Sequence, residues 1–270
     1  MRKLLMAIKH KLVVQFRHKP QKIKMIQKTT FLDGSEKSMI PIIKGDVSRF
    51  SIGGRDKLIP LEEFSAGTGI SDLTIFSIDD KILQQRKQNQ AQPITSKNHI
   101  QVLLAVLDGR STVAEVTAAT RLTKVTVQKI LKQLEAEGLV ILTAPGAYAA
   151  SYALPGSSNE NIIAIEAKVR DWKSGVRQAL RYKEYADYSY LAIYEDNIAG
   201  CLENIEVFKK LGVGLIGVSD NGISIHLEAA LSDVTTRENK LLAFERFVSI
   251  IDESYQSFVV RNNFATNDAV

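Results

Sequence analysis

The chain has 270 residues, 45% of them hydrophobic and 24% charged, with one cysteine and a formal net charge of +5. Ordinary globular composition at this length buries a sizeable core in one or two domains. The lone Cys201 excludes an internal disulfide and any multi-cysteine metal site. No apolar run approaches a membrane span, so a cytoplasmic or nucleoid-associated protein with no membrane partner is expected.

Residues 1–28 carry nine Lys/Arg (Arg2, Lys3, Lys9, Lys11, Arg17, Lys19, Lys22, Lys24, Lys28) before the first acid, Asp33. Such a run is either a solvated face or a polyanion-binding arm. Met1–Ile8 imitates a signal peptide, but Lys9, His10 and Lys11 cut its apolar stretch short. Up to residue 80 the chain is glycine-punctuated and reads as strands, with apolar runs at Met39–Ile43, Phe50–Ile52 and Ile70–Ile78. Gln84–Pro93 has no apolar period and ends in proline, which predicts a linker.

Residues 95–154 are well punctuated. His99–Leu107 reads as a helix stopped by Gly109, and Thr112 with Glu115 is a capping box opening a second helix. Thr123 caps a third helix, with Val127, Ile130, Leu131 and Leu134 at helical spacing and Gly138 at its end. Two strands follow, Leu139–Leu142 and Tyr148–Leu154, around Ala144-Pro145-Gly146. Ser111–Val140 resembles the winged helix-turn-helix family, which implies DNA as a partner. The third helix would enter a major groove with Lys124, Thr126, Lys129 and Lys132 outward.

From residue 160 strands alternate with helices: a strand at 162–169, a helix at 172–186, strands at 188–194, 213–218 and 222–227, a helix at 202–211 between them, and a last helix at 236–255. This pattern predicts a mixed α/β sheet. The last helix has a wide apolar face (Leu241, Leu242, Phe244, Phe247, Val248, Ile251), read first as core and second as a homodimer interface. His10, His18, His99 and His226 have no metal-type spacing, and Gly67-Thr68-Gly69 is too short for a phosphate loop.

Four acid-x-Lys triplets occur, ending at Lys81, Lys168, Lys173 and Lys240, so spacing alone decides nothing. Only Glu166-Ala167-Lys168 ends a β-branched apolar run, where side chains alternate and Glu166 and Lys168 share a face. Taken alone, that pair also reads as a salt bridge on an edge strand. Ten residues after the lysine comes Gln178-Ala179-Leu180-Arg181-Tyr182, and upstream Asp72 lies within Gly69–Phe76. Segment 162–194 resembles the PD-(D/E)XK nuclease superfamily with its RecB-like Gln-x-x-x-Tyr motif. Ser71 stands where the family's name has proline.

That resemblance implies a restriction-endonuclease-like mixed sheet flanked by helices, and Mg²⁺- or Mn²⁺-dependent endonucleolytic hydrolysis of DNA. Asp72, Glu166 and the Ala167 carbonyl would hold the cation, with Lys168 and Gln178 completing the catalytic set and Arg177, Arg181 and Lys183 on the DNA backbone. Tyr182 is equally a packing residue. An earlier acid would come from Glu62 or Glu63. More than ninety residues separate Asp72 from Glu166, so the winged helix (94–156) is expected to interrupt a core made of 1–93 and 157–270. The rival expectation is a DNA-binding regulator on a catalytically silent scaffold.

Overall fold

The computed structural model describes residues 32–50, 57–94, 96–151 and 161–251, and the backbone of the last helix as far as 264. The basic run 1–28 and Ile52 lie outside the described residues.

The first element is a helix, α1 (Glu36–Gly45), where the apolar run Met39–Ile43 had suggested a strand. The Ser35 side chain caps it by accepting from the Ser38 N–H, and Met39, Ile40 and Ile43 bury one helical stripe. Strands β1 (Lys57–Ser65) and β2 (Ile70–Ile78) form an antiparallel pair. Next comes α2 (Asp80–Gln88), capped by Asp79, which replaces the expected linker. Local polarity is misleading there, because Arg86 is buried against a carboxylate 159 residues away in sequence.

The winged helix follows as α3 (Lys97–Leu107), α4 (Val113–Thr120), α5 (Lys124–Ala136) and the hairpin β3 (Val140–Ala144) and β4 (Ala147–Ala150). Both halves of the Thr112/Glu115 capping box form, and Thr123 caps α5. Gly138 has φ +73°, and a Cβ there would lie 2.5 Å from the Asn89 carbonyl oxygen, so the turn after α5 accepts only glycine without rearrangement.

The chain then returns to the main sheet as β5 (Asn161–Lys168), α6 (Trp172–Tyr182), β6 (Tyr188–Tyr194), α7 (Ala199–Leu202), α8 (Ile205–Leu211), β7 (Gly214–Ser219), β8 (Gly222–Leu227) and α9 (Arg237–Phe264). The sheet order is β1-β2-β5-β6-β7-β8. β1, β2 and β5 run antiparallel, β5 to β7 parallel, and β8 antiparallel to β7. Thus β2 and β5 are neighbours although the whole winged helix lies between them in the chain. β5 is interior, not an edge strand.

Its alternation supplies both faces. Ile163, Ile165 and Ala167 pack with α1, while Ile162 and Ala164 pack with Tyr182, Tyr185 and the α9 residues Phe244 and Phe247. One turn earlier in α9, Leu241 and Leu242 join the winged-helix core. The apolar face of α9 is therefore core to two clusters. Among the described residues no helix is long and apolar enough to cross a membrane.

Candidate functional site

The antiparallel ladder between β2 and β5 runs to Leu73 opposite Ile165. One step further, where Asp72 would face Glu166, no pair forms. Instead the Ala167 N–H donates to Asp72 Oδ2 at 2.7 Å, so a carboxylate takes the place of a ladder carbonyl. Residue parity puts Asp72, Glu166 and Lys168 on the sheet face that carries α6. The Ala167 carbonyl leaves the strand on the same edge as its N–H, toward Asp72.

Glu166 is 2% exposed. Its Oε1 accepts from Lys168 Nζ at 2.6 Å, and its Oε2 lies 2.6 Å from the Tyr182 hydroxyl. That hydroxyl is also 2.6 Å from the Ile70 carbonyl oxygen. A phenol has one proton and cannot donate to both oxygens at once. The bond to Glu166 is charge-assisted and is the stronger of the two.

Burial and the neighbouring groups act on this cluster in opposite directions. Burial lifts the Glu166 pKa above the usual range, against the bonds from Lys168 and Tyr182, and the Asp72 charge lifts it further. Burial likewise raises Asp72, against the Ala167 N–H and the Lys168 charge. Burial opposes the Lys168 ammonium, but the bond and charge of Glu166, with the charges of Glu36 and Asp72, outweigh it and raise its pKa. Tyr182 is driven up by burial and by Glu166, so it stays a neutral donor.

Two sequence expectations move. The further acid that reaches Lys168 is Glu36 of α1, whose Oε2 lies 3.3 Å from Lys168 Nζ. Glu62 and Glu63 instead pair on the outer strand with Lys44 and Lys37. Glu36 was hidden by reading 39–43 as a strand; the Ser35 cap and the 39/40/43 spacing were the available signal. The second change concerns the motif on α6. Tyr182 reaches Glu166, whereas Gln178 is half-buried and makes no hydrogen bond among the described residues. Their four-residue spacing fixes a shared flank of α6, but packing on β5 selects Tyr182.

The Asp72 and Glu166 carboxylates and the Ala167 carbonyl offer oxygen, which suits a hard divalent cation in kind. Among the described residues, however, no three His, Cys, Asp or Glu side chains are gathered as a metal-holding group. Arg177 and Arg181 are exposed on α6. Lys183 turns inward, donating to the Leu211 carbonyl at 3.0 Å, and does not face a ligand. On α5, Lys124, Lys129 and Lys132 are exposed, while the half-buried Thr126 hydroxyl is 2.8 Å from that of the capping Thr123. The strands β3 and β4 carry no Lys or Arg.

Residues 94–147 match the model of the MarR family. That match supports DNA binding by the winged helix and covers about a fifth of the chain. No curated protein matches the chain. Among solved structures, the SPO1766 protein of unknown function from Silicibacter pomeroyi is similar at 18% identity, over 36% of this chain and 62% of that one, with a TM-score of 0.28. The chain thus spans less than two thirds of that protein, and the likeness is too slight to bear on fold or function.

Proposed function

We propose that this is a DNA-binding protein whose α/β body is a PD-(D/E)XK-type nuclease, hydrolysing phosphodiester bonds in DNA held by the winged helix. The observation that carries this reading is the convergence of Asp72, Glu166, Lys168 and Tyr182 at the splayed end of β2 and β5. The order around it also fits: a helix, three antiparallel strands, a crossover helix and a parallel strand. Asp72, Glu166 and the Ala167 carbonyl would hold Mg²⁺ or Mn²⁺. A bound cation of that kind supplies Lewis-acid polarisation of the phosphate and a more acidic water.

The chain's own residues do the rest. Tyr182 fixes the Glu166 carboxyl by its hydrogen bond. Lys168, held charged by Glu166 and Glu36, offers an ammonium to the negative charge that builds on the phosphate. Asp72 tethers the Ala167 backbone and so keeps the Glu-x-Lys segment in register. The Gln178 side chain, which makes no hydrogen bond among the described residues, is available to a phosphate oxygen.

A second reading has its own observation. Each Glu166 oxygen already has a protein partner, Lys168 on one and Tyr182 on the other, which suits a silent scaffold beneath a DNA-binding regulator. Cleavage of plasmid and branched DNA with Mg²⁺ or Mn²⁺, by the wild type, Glu166→Ala and Lys168→Ala, separates them. Cutting that both substitutions abolish supports the nuclease. Intact DNA binding with no cutting by any of the three proteins refutes it and leaves the regulator.

A further inference from the structure

Helix α6 has two faces with different occupants. Gly175, Val176, Ala179 and Tyr182 are buried on the sheet side. Lys173, Arg177 and Arg181, spaced four apart, are exposed on the opposite side. Steps of four residues keep side chains in one row, so these three cations form a stripe about 12 Å long at 1.5 Å per residue. No Asp or Glu occurs within α6.

Elsewhere in the body several surface cations are matched, Lys37 with Glu63, Lys44 with Glu62, Arg49 with Asp46, Lys57 with Asp80 and Lys209 with Glu206, while the exposed Lys81, Arg170 and Lys210, on separate elements, have no such partner among the described residues. Among the described residues, Lys173, Arg177 and Arg181 have no such partner, and Lys173 merely leans toward the Trp172 ring at 5.6 Å. Among the described residues, α5 also gathers several unmatched cations, Lys124, Lys129 and Lys132. Like charges four apart on a helix repel one another weakly, and a bound anion relieves that repulsion.

We infer that the outward face of α6 is a second nucleic-acid track, separate from α5, in which Lys173, Arg177 and Arg181 contact phosphates along one strand. The stripe spans roughly three to four phosphate steps at about 3.4 Å of helix axis each. An anionic membrane is the poorer occupant, because an interfacial helix must offer lipid a free apolar face, and that of α6 is already buried. The helix that seats Tyr182 on Glu166 would then carry backbone contacts on its other side. This inference rests on the DNA-binding reading above.

The test is the salt dependence of binding to a duplex of about thirty base pairs, by fluorescence anisotropy between 50 and 200 mM salt. The proteins are the wild type, the α6 triple variant Lys173→Gln/Arg177→Gln/Arg181→Gln and the α5 triple variant Lys124→Gln/Lys129→Gln/Lys132→Gln. Each phosphate contact contributes a slope of about 0.9. The wild type should therefore lose roughly 40-fold more affinity across that range than the α6 variant does. Arg177→Lys/Arg181→Lys should keep the wild-type slope, which separates charge from any change in folding.

A wild-type slope in the α6 variant, with a flatter one in the α5 variant, overturns the α6 track and leaves the winged-helix reading standing. Absence of duplex binding by the wild type overturns both. Binding to phosphatidylglycerol vesicles that the α6 variant loses, with its DNA slope unchanged, assigns the stripe to a membrane and overturns the inference.

Discussion

Arg86 and Glu245 form a bidentate pair, 2.6 Å from Nη1 to Oε1 and 2.8 Å from Nη2 to Oε2, with side chains 3% and 0% exposed. Glu245 Oε2 also accepts the Ile94 N–H at 2.9 Å, at the entrance to the winged helix. Glu245→Gln keeps the shape but leaves the Arg86 charge without its counter-ion in a dry site, a loss of about 3–5 kcal/mol. At about 2–4 °C per kcal/mol for a chain of this size, the melting temperature should drop by roughly 6–20 °C.

The double variant Arg86→Met/Glu245→Leu removes both charges. It should recover most of that loss, short of about 1–3 kcal/mol for the Ile94 N–H left without an acceptor. Urea unfolding and thermal melts of the wild type, both singles and the double give the coupling energy directly. A single-variant loss under about 1 kcal/mol, or a double as damaged as the sum of the singles, would refute the buried-pair account.

Further outcomes follow from the site. Burial holds Asp72 and Glu166 above their usual values of 3.8 and 4.5, so the folded chain keeps protons that the unfolded chain has released. Stability should therefore fall as pH rises through and above those values; Glu166→Gln should flatten the fall in pH-dependent melts, and an unaltered profile would contradict the burial assignment. Lys168, raised above 10.5, contributes stability that is intact below that value and disappears at higher pH. A melt series of Lys168→Met against the wild type checks this, and an equal gap at pH 8 and pH 11 counts against it. Tyr182→Phe deletes a bond that lowers the Glu166 pKa, so a carbon-13 titration of Glu166 should move upward, and a downward move would be inconsistent. Gly175→Ala drives a methyl into Leu191 Cδ1 and to 2.9 Å from Lys168 Cγ. It should cost about 1–3 kcal/mol through overpacking, read by urea unfolding, and an unshifted midpoint would argue against close α6 seating.

What the residues disclosed in advance follows the range of the forces involved. The winged helix was legible almost residue by residue, because Thr112, Glu115, Thr123 and Gly138 act on backbone groups within one turn of themselves. The face shared by Glu166 and Lys168 was equally local, a matter of strand alternation. Two misreadings have the opposite origin. Gln84–Pro93 looked like a linker because the partner of Arg86 sits in the last helix, beyond any window of local composition. Met39–Ile43 with Pro41 looked extended, and only the Ser35 cap and the docking of Met39, Ile40 and Ile43 on β5 and its neighbours make it a helix. That error hid Glu36, and the choice between Gln178 and Tyr182 likewise depended on how α6 seats against the sheet.

The double membership of α9 has a mechanical consequence. Leu241 and Leu242 belong to the winged-helix core, and Phe244 and Phe247, within the next two turns, to the sheet core. A helix gripped by both cores in adjacent turns ties one to the other without slack. A ligand seated on the winged helix would be presented to the body at one distance and one rotational phase, so any contact the body made with it would fall at a set offset from that seat. Inserting residues into a flexible tether would leave such an offset blurred; here changing it would require lengthening α9 by whole helical turns.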